Sequence, residues 1–101
     1  MIREVRFTSF AKQDLLETAQ YYAQIDRSLG SAFIDTTIDF SHSLADNPLR
    51  YREVIVGIRQ AVMQRFNQLI FYSAEEETLV VVAIVSSRRD PGYIERILSG
   101  R

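Results

Sequence analysis

The sequence has no cysteine and no tryptophan, one histidine, one lysine and two prolines. Without cysteine there is no disulfide framework, no thiolate nucleophile and no thiolate metal site. A single histidine, His42, leaves no histidine pair to hold zinc, so no metal site and no cofactor is expected. Gly30, Gly57, Gly92 and Gly100 stand apart from one another, which excludes a glycine-rich phosphate loop. No apolar run approaches the length of a membrane span, and the first residues lack the charged-then-apolar order of a signal peptide. A cytoplasmic protein without membrane contact is expected.

What is present is ordinary in amount and uneven in placement. The 101 residues are 47% hydrophobic and 25% charged, which fits one domain over residues 1–101 with one core. The formal net charge is -1, so no global field draws in nucleic acid, and direct DNA binding is not expected. Acids outnumber cations in residues 1–50, whereas cations slightly outnumber acids in residues 51–101. Apart from Lys12 every cation is arginine, which suits planar contacts to carboxylate or phosphate and stays charged when partly buried.

The stretch Leu79 to Ile97 organises the rest. Leu79-Val80-Val81-Val82-Ala83-Ile84-Val85 is rich in β-branched residues and has no polar stripe, so it predicts a strand buried on both faces. After Ser86-Ser87-Arg88-Arg89 come Asp90, a helix N-cap, and Pro91, whose missing N–H costs nothing at the first helical position. Tyr93, Ile94, Ile97 and Leu98 then recur at helical spacing.

Upstream, Ile2 to Phe7 alternates weakly as a strand. Phe10 to about Ile25 carries an amphipathic stripe, with Thr8 or Ser9 as its cap and Asp14 and Glu17 near its positive end. Asp26 to Gly30 breaks the pattern, and a second helix is predicted from about Ser31 to Ala45, stopped by Asp46-Asn47-Pro48. Tyr51 to Val56 and Ile58 to Met63 read as strands around Gly57, or as one strand bulged there. Gln64 to Asn67 is a turn, Gln68 to Ala74 a strand, and Glu75 to Glu77 a hairpin turn. Short turns force these strands to pair antiparallel. The expected fold is α+β: an N-terminal strand, an antiparallel two-helix hairpin on one face of a mainly antiparallel sheet, and a short C-terminal helix.

No catalytic residue emerges. His42 sits between Ser41 and Ser43 on the second helix, where a surface or hairpin-packing role is expected. Ser86 and Ser87 lack the G-x-S-x-G elbow of a nucleophile. The constellation worth following is Arg59, Arg65, Arg88 and Arg89, with Tyr93 one helical turn beyond the arginine pair. If the strand of Arg59 and the central strand both flank Gln68 to Ala74, these cations line one concave face. Such a face can bind RNA phosphates, stabilise a phosphoryl-transfer transition state, accept the carboxylates of an acidic peptide, or pair internally with Asp90, Glu53 and Glu95. The tyrosines at stripe and strand positions, Tyr21, Tyr22, Tyr51 and Tyr72, are expected in or beside the core.

These residues resemble the ParE branch of the RelE/ParE superfamily, the toxin halves of bacterial toxin-antitoxin (plasmid stabilisation) pairs. The likeness runs over nearly the whole chain: Ala11, Asp14, Leu15 and Tyr22 on the first helix, Asn47-Pro48, Ile58-Arg59, Arg65-Phe66 and Ile70-Phe71-Tyr72. Its most specific part is Val82-Ala83-Ile84-Val85-Ser86-Ser87-Arg88-Arg89-Asp90-Pro91 followed by Arg96. Ser86 stands where many relatives carry histidine, and Asn67 where they carry proline. The resemblance implies a non-catalytic toxin that inhibits DNA gyrase, alone as a homodimer or held in a hetero-oligomer by a cognate antitoxin. Arg59, Arg65, Arg88, Arg89 and Tyr93 are then the candidate contacts for target and antitoxin. The alternative is a ribosome-dependent mRNA endoribonuclease, as in the RelE branch, which a net charge of -1 and a single lysine disfavour.

Overall fold

The apolar run at Leu79–Val85 becomes the strand against which the rest of the chain is laid. In a computed structural model describing residues 1–101, the elements are β1 (Glu4–Phe7), α1 (Ser9–Ile25), α2 (Arg27–Leu44), β2 (Glu53–Ile55), β3 (Ile58–Met63), β4 (Gln68–Ala74), β5 (Thr78–Ser86) and α3 (Pro91–Ser99). The sheet order is β1-β5-β4-β3-β2. Three pairings are antiparallel, as the short turns require, and β1 pairs parallel with β5. Tyr51 to Met63 forms two strands rather than one bulged strand, turning at Gly57, whose φ of +82° suits a residue without Cβ.

Burial on both faces of the sheet follows from the composition of β5. Phe71 pairs with Ala83 and Tyr72 with Val81, so Val82 is an extra, bulged residue. The bulge switches the alternation: Leu79, Val81 and Ile84 join one core, Ala83 and Val85 the other. On the first face Ala11, Leu15 and Ala19 of α1 and Phe33 and Leu44 of α2 pack on Ile70, Tyr72, Leu79 and Val81. On the second, Tyr93, Ile94, Ile97 and Leu98 of α3 cover Leu69, Phe71, Ala83 and Val85. Helices were expected on one face only. A strand that is apolar on both sides needs a second cover, and α3 supplies it.

The helical hairpin is tighter than its sequence suggests. Thr8 caps α1, its hydroxyl accepting from the Ala11 N–H at 3.1 Å. The break expected over Asp26 to Gly30 is a single residue. Asp26, extended at φ -157°, donates its N–H to the Tyr22 carbonyl and closes α1, while its carboxylate accepts from the Ser28 N–H at 2.9 Å and hydroxyl at 2.8 Å to open α2. The Ser28 hydroxyl and N–H bonds hold its carboxyl below the usual aspartate value. Gly30 therefore lies inside α2, buried where the two helices touch. A Cβ there would stand 2.9 Å from both the Ala19 carbonyl oxygen and the Ala23 Cβ. Neither atom belongs to a flexible side chain, so the helices themselves would have to part.

Tyr72 anchors the centre of the first core. It is fully buried and donates its hydroxyl to the Pro48 carbonyl at 2.7 Å, tying the segment after α2 to the sheet. Burial raises its pKa above the ordinary 10.0, against an opposing pull from the Arg59 charge.

Two outcomes follow. Alanine exceeds glycine in helix propensity by about 1 kcal/mol, yet Gly30→Ala is expected to lose about 1–3 kcal/mol through the helix–helix clash, read as a lowered urea midpoint at unchanged slope. Tyr72→Phe is expected to cost about 1 kcal/mol at neutral pH by orphaning the Pro48 carbonyl. Below pH 10 the phenol is neutral in both states. Above it the unfolded chain ionises first, so wild-type stability falls towards the raised folded value. The stability gap between wild type and Tyr72→Phe, followed by denaturation from pH 8 to 11, should therefore close as pH rises.

Candidate functional site

The second half of β5 has a neighbour on one side only. β1 ends at Phe7, opposite Val81, and the last main-chain bond from that side runs from the Thr8 N–H to the Val81 carbonyl at 3.0 Å. Side chains continue the ladder. The Ile84 N–H donates to Asp14 Oδ2 at 3.0 Å, and the Val82 carbonyl accepts from Arg101 Nη1 at 3.3 Å. Arg101 grips Asp14 with both terminal nitrogens, Nη2 reaching Oδ1 at 3.0 Å, and lies over the Phe10 ring at 5.1 Å. The two side chains are only 15% and 17% exposed, so this pair is screened far less than a surface ion pair.

Next to this edge is a strained turn. Phe66 and Asn67, between β3 and β4, both have positive φ, at 70° and 51°. Asparagine tolerates that region, but phenylalanine rarely enters it, at a cost of order 1–3 kcal/mol. The surroundings hold it there. The Phe66 ring packs 4.9 Å from Tyr22 and 5.3 Å from Phe33, and its carbonyl accepts from the Tyr22 hydroxyl and from Gln68 Nε2, each at 3.3 Å. The Asn67 carbonyl accepts from the Ser87 N–H at 2.9 Å, so the turn is fastened to the loop that leaves β5. A proline, with φ fixed near -65°, cannot occupy position 67 in this conformation.

That loop delivers the arginines. Ser86 Oγ accepts from the Arg88 N–H at 3.2 Å, the Ser86 carbonyl accepts from the Arg89 N–H at 3.1 Å, and Asp90 Oδ1 caps α3 through the Tyr93 N–H at 2.9 Å. Pro91 is the first residue of α3. The Arg89 guanidinium lies 4.4 Å from the centre of the Tyr93 ring, a cation–π contact.

Together these parts enclose an open groove of about 680 Å³. One wall is α1, through Asp14, Glu17, Thr18, Tyr21 and Tyr22. The turn supplies Phe66, Asn67 and Gln68, the floor is Ile84, Val85 and Ser86, and the opposite wall is Arg88, Arg89, Tyr93 and Ile97. Arg88 and Arg89 are exposed and make no ion pair; the pairs that form are Arg3–Glu77, Arg59–Glu53 and Arg101–Asp14. No three potential ligands of the His, Asp or Glu type converge as a metal site would need.

The four arginines are not on one face. Arg88, Arg89 and Tyr93 share the groove. Arg65 lies outside it, over the Phe66 ring at 5.0 Å, and donates to the Thr36 hydroxyl at 3.1 Å. Arg59 is at the far end of β3, opposite Tyr72, and is spent internally: it donates to the Tyr51 carbonyl at 2.6 Å and the Leu49 carbonyl at 3.4 Å, with Glu53 at 3.9 Å. The extended chain from Arg59 to Met63, roughly 13 Å, and the turn that begins at Gln64 separate Arg59 from Arg65. His42 is exposed on α2 and lines none of the groove, and neither Asp90 nor Glu95 pairs with an arginine. Tyr21, expected near the core, is 60% exposed on the groove wall.

A solved structure described as the chromosomal ParDE TA system from P. aeruginosa superposes on this chain with a TM-score of 0.73, covering 84% of this chain and 96% of that one at 13% identity. That likeness defines a shared fold. No curated protein matches the chain. Residues 5–91 match the family described as the ParE toxin of the type II toxin-antitoxin system, parDE, and the chain belongs to that family. No helix is long and apolar enough to cross a membrane.

The edge contacts set an order of effects. Asp14→Ala leaves the Ile84 N–H unpaired and Arg101 without its partner, and should cost about 1–3 kcal/mol. Arg101→Ala should cost less, since Asp14 still accepts from Ile84. Urea denaturation gives the order, and amide exchange at Ile84 should quicken in Asp14→Ala but not in Arg101→Ala.

Proposed function

We propose that this ParE-family chain arrests growth by binding DNA gyrase without chemical catalysis, and that a cognate antitoxin neutralises it by occupying the groove between α1 and α3. The observation that carries the reading is the groove's composition. Two arginines without ion-pair partners stand beside Tyr21, Tyr22, Phe66 and Tyr93, in a chain of net charge -1 with its one histidine elsewhere. Free arginines among aromatic rings suit a protein partner bearing carboxylates. A surface that tracks RNA needs many cations, and affinity built on phosphate contacts rises with each of them. Arg88, Arg89 and Tyr93 are the proposed contact residues, and Arg65 lies outside the groove. Arg59 supports the sheet instead.

One feature favours a second reading. Arg89 stacked on Tyr93 is a pairing that could stabilise a scissile phosphate and move a proton, as in a ribosome-dependent endoribonuclease. The test separates the two. Purified chain added to gyrase and relaxed plasmid should block supercoiling, and Arg89→Ala should weaken the block by about tenfold, one charge-assisted contact. Induced expression should arrest growth with transcripts intact. Transcripts cut within codons, with cleavage abolished by Arg89→Ala and supercoiling untouched, would overturn the gyrase reading.

A further inference from the structure

We infer that two copies of this chain pair about a two-fold axis near Leu49. Each copy sets that leucine against the other's groove between the end of α2 and the β4–β5 turn, and Asp46 of each faces Arg52 of the other.

The segment after α2 builds the face. The Arg50 N–H donates to the Asn47 carbonyl at 3.2 Å, which closes a turn with Pro48 and Leu49 at its corner. The inner side of this turn is tied down. Tyr72 donates to the Pro48 carbonyl at 2.7 Å, and Arg59 Nη1 donates to the Tyr51 carbonyl at 2.6 Å and the Leu49 carbonyl at 3.4 Å. Leu49 nevertheless stands outward, 64% exposed, on a segment that has little freedom left to lose on binding. Beside it lies a groove of about 610 Å³, with Ile2, Ala45 and Pro48 among its walls and Asp46, Glu75 and Glu76 as its acids.

Both signs of charge flank the leucine, and neither is spent. Asp46, Glu75 and Glu76 make no ion pair, and the Met1 amino group beside them donates to the Glu76 carbonyl rather than to a carboxylate. Arg50 and Arg52 are exposed and make no ion pair either, Arg50 lying over the Tyr51 ring at 5.3 Å. The two sets are apart. Glu75 and Glu76 follow β4, whereas Arg52 leads into β2 at the sheet edge, two strand places or roughly 10 Å away.

That order of charges selects the occupant. A foreign basic segment would satisfy the acids but meet repulsion from the arginines, and an acidic one would do the reverse. The complement of acid, leucine and arginine in this order is the same surface turned through half a revolution. Asp46 lies three residues before Leu49 and Arg52 three after it, so a two-fold axis through the leucines sets acid against cation twice. Glu75 and Glu76 add to the acidic side, and Arg50 to the cationic one. An end face of this kind buries about 1,000 Å² in all, so the dimer is weak. The groove between α1 and α3 stays free, because it lies at the other end of β5, 9 residues or roughly 30 Å away.

Sedimentation equilibrium of the full chain at low salt, from about 10 µM to about 1 mM, should show monomer passing to dimer with a dissociation constant of order 100 µM that rises with added salt. Leu49→Glu, Asp46→Arg and Arg52→Asp should each weaken the dimer about tenfold or more, with far-ultraviolet circular dichroism unchanged because all three side chains are exposed. Mixing tests the symmetry. The Asp46→Arg chain carries cations at both positions and the Arg52→Asp chain acids at both, so each alone should be monomeric while an equimolar mixture dimerises about as tightly as wild type. A monomer at about 1 mM wild type, a dimer indifferent to Leu49→Glu, or a mixture that stays monomeric would each overturn the inference. A dimer lost in Arg89→Ala but kept in Asp46→Arg would overturn it too, and assign self-association to the groove between α1 and α3. Neither gyrase nor antitoxin enters these measurements, so their outcome is independent of the supercoiling assay.

Discussion

A mismatch in strand length governs this structure. β5 has 9 residues and β1 only 4, so the central strand outruns its parallel neighbour by about half its length. Each backbone group left bare at a covered edge costs about as much as a lost hydrogen bond. Asp14 and Arg101 supply two of the missing partners, for the Ile84 N–H and the Val82 carbonyl, from positions 70 and 19 residues away along the chain from the groups they satisfy. α1 must bring Asp14 over the edge, and the segment after α3 must bring Arg101 back to it. The placement of both helices is thus coupled to one short stretch of unpaired main chain.

The groove is a consequence of the same mismatch. Where β1 stops, α1 and α3 stand apart, and the space between them is floored by Ile84, Val85 and Ser86. Its rim is stiffened by the Phe66–Asn67 turn, whose left-handed backbone is held by Tyr22 and Phe33 on one side and by Ser87 on the other. Strain retained beside a cavity fixes the direction of the chain there, and it places Arg65 outside the groove while Arg88 and Arg89 stay within reach of it. Electrostatics then differ by location. The Arg59–Glu53 contact is long, at 3.9 Å, and adds little beside the guanidinium's bonds to carbonyls, whereas Arg88 and Arg89 keep their charge available for a partner.

Local signals in the sequence carried far where the structure is local. The strands around Gly57, β4, the Glu75 to Glu77 turn, α1 and the Asp90-Pro91 entry to α3 all stand where composition and spacing put them. The Val82 bulge did not announce itself, because a run that is apolar at every position hides which residues face which side. Asp26 to Gly30 looked like a linker because aspartate and glycine usually punctuate helices. Here the aspartate caps within one residue and the glycine serves helix contact. The arginine face failed on distance along β3, a quantity that only strand register supplies. Asp14 has its partners in β5 and beyond α3, and nothing near it in sequence marks it as anything but a helix-dipole residue.

The division between what is firm and what is exposed bears on how such a site can be controlled. α1 and α2 have several buried residues each, whereas α3 has none, although its apolar side covers Phe71 and Val85. An element packed so lightly opens locally at lower free-energy cost than the hairpin does. Arg89 and Tyr93 belong to the loop and first turn of that element, so a ligand gripping them stabilises α3 along with itself. If target and antitoxin both use this wall, they compete for the same atoms and no separate conformational signal is needed. Under the proposed function, neutralisation then depends only on the difference between the affinities of target and antitoxin for this wall.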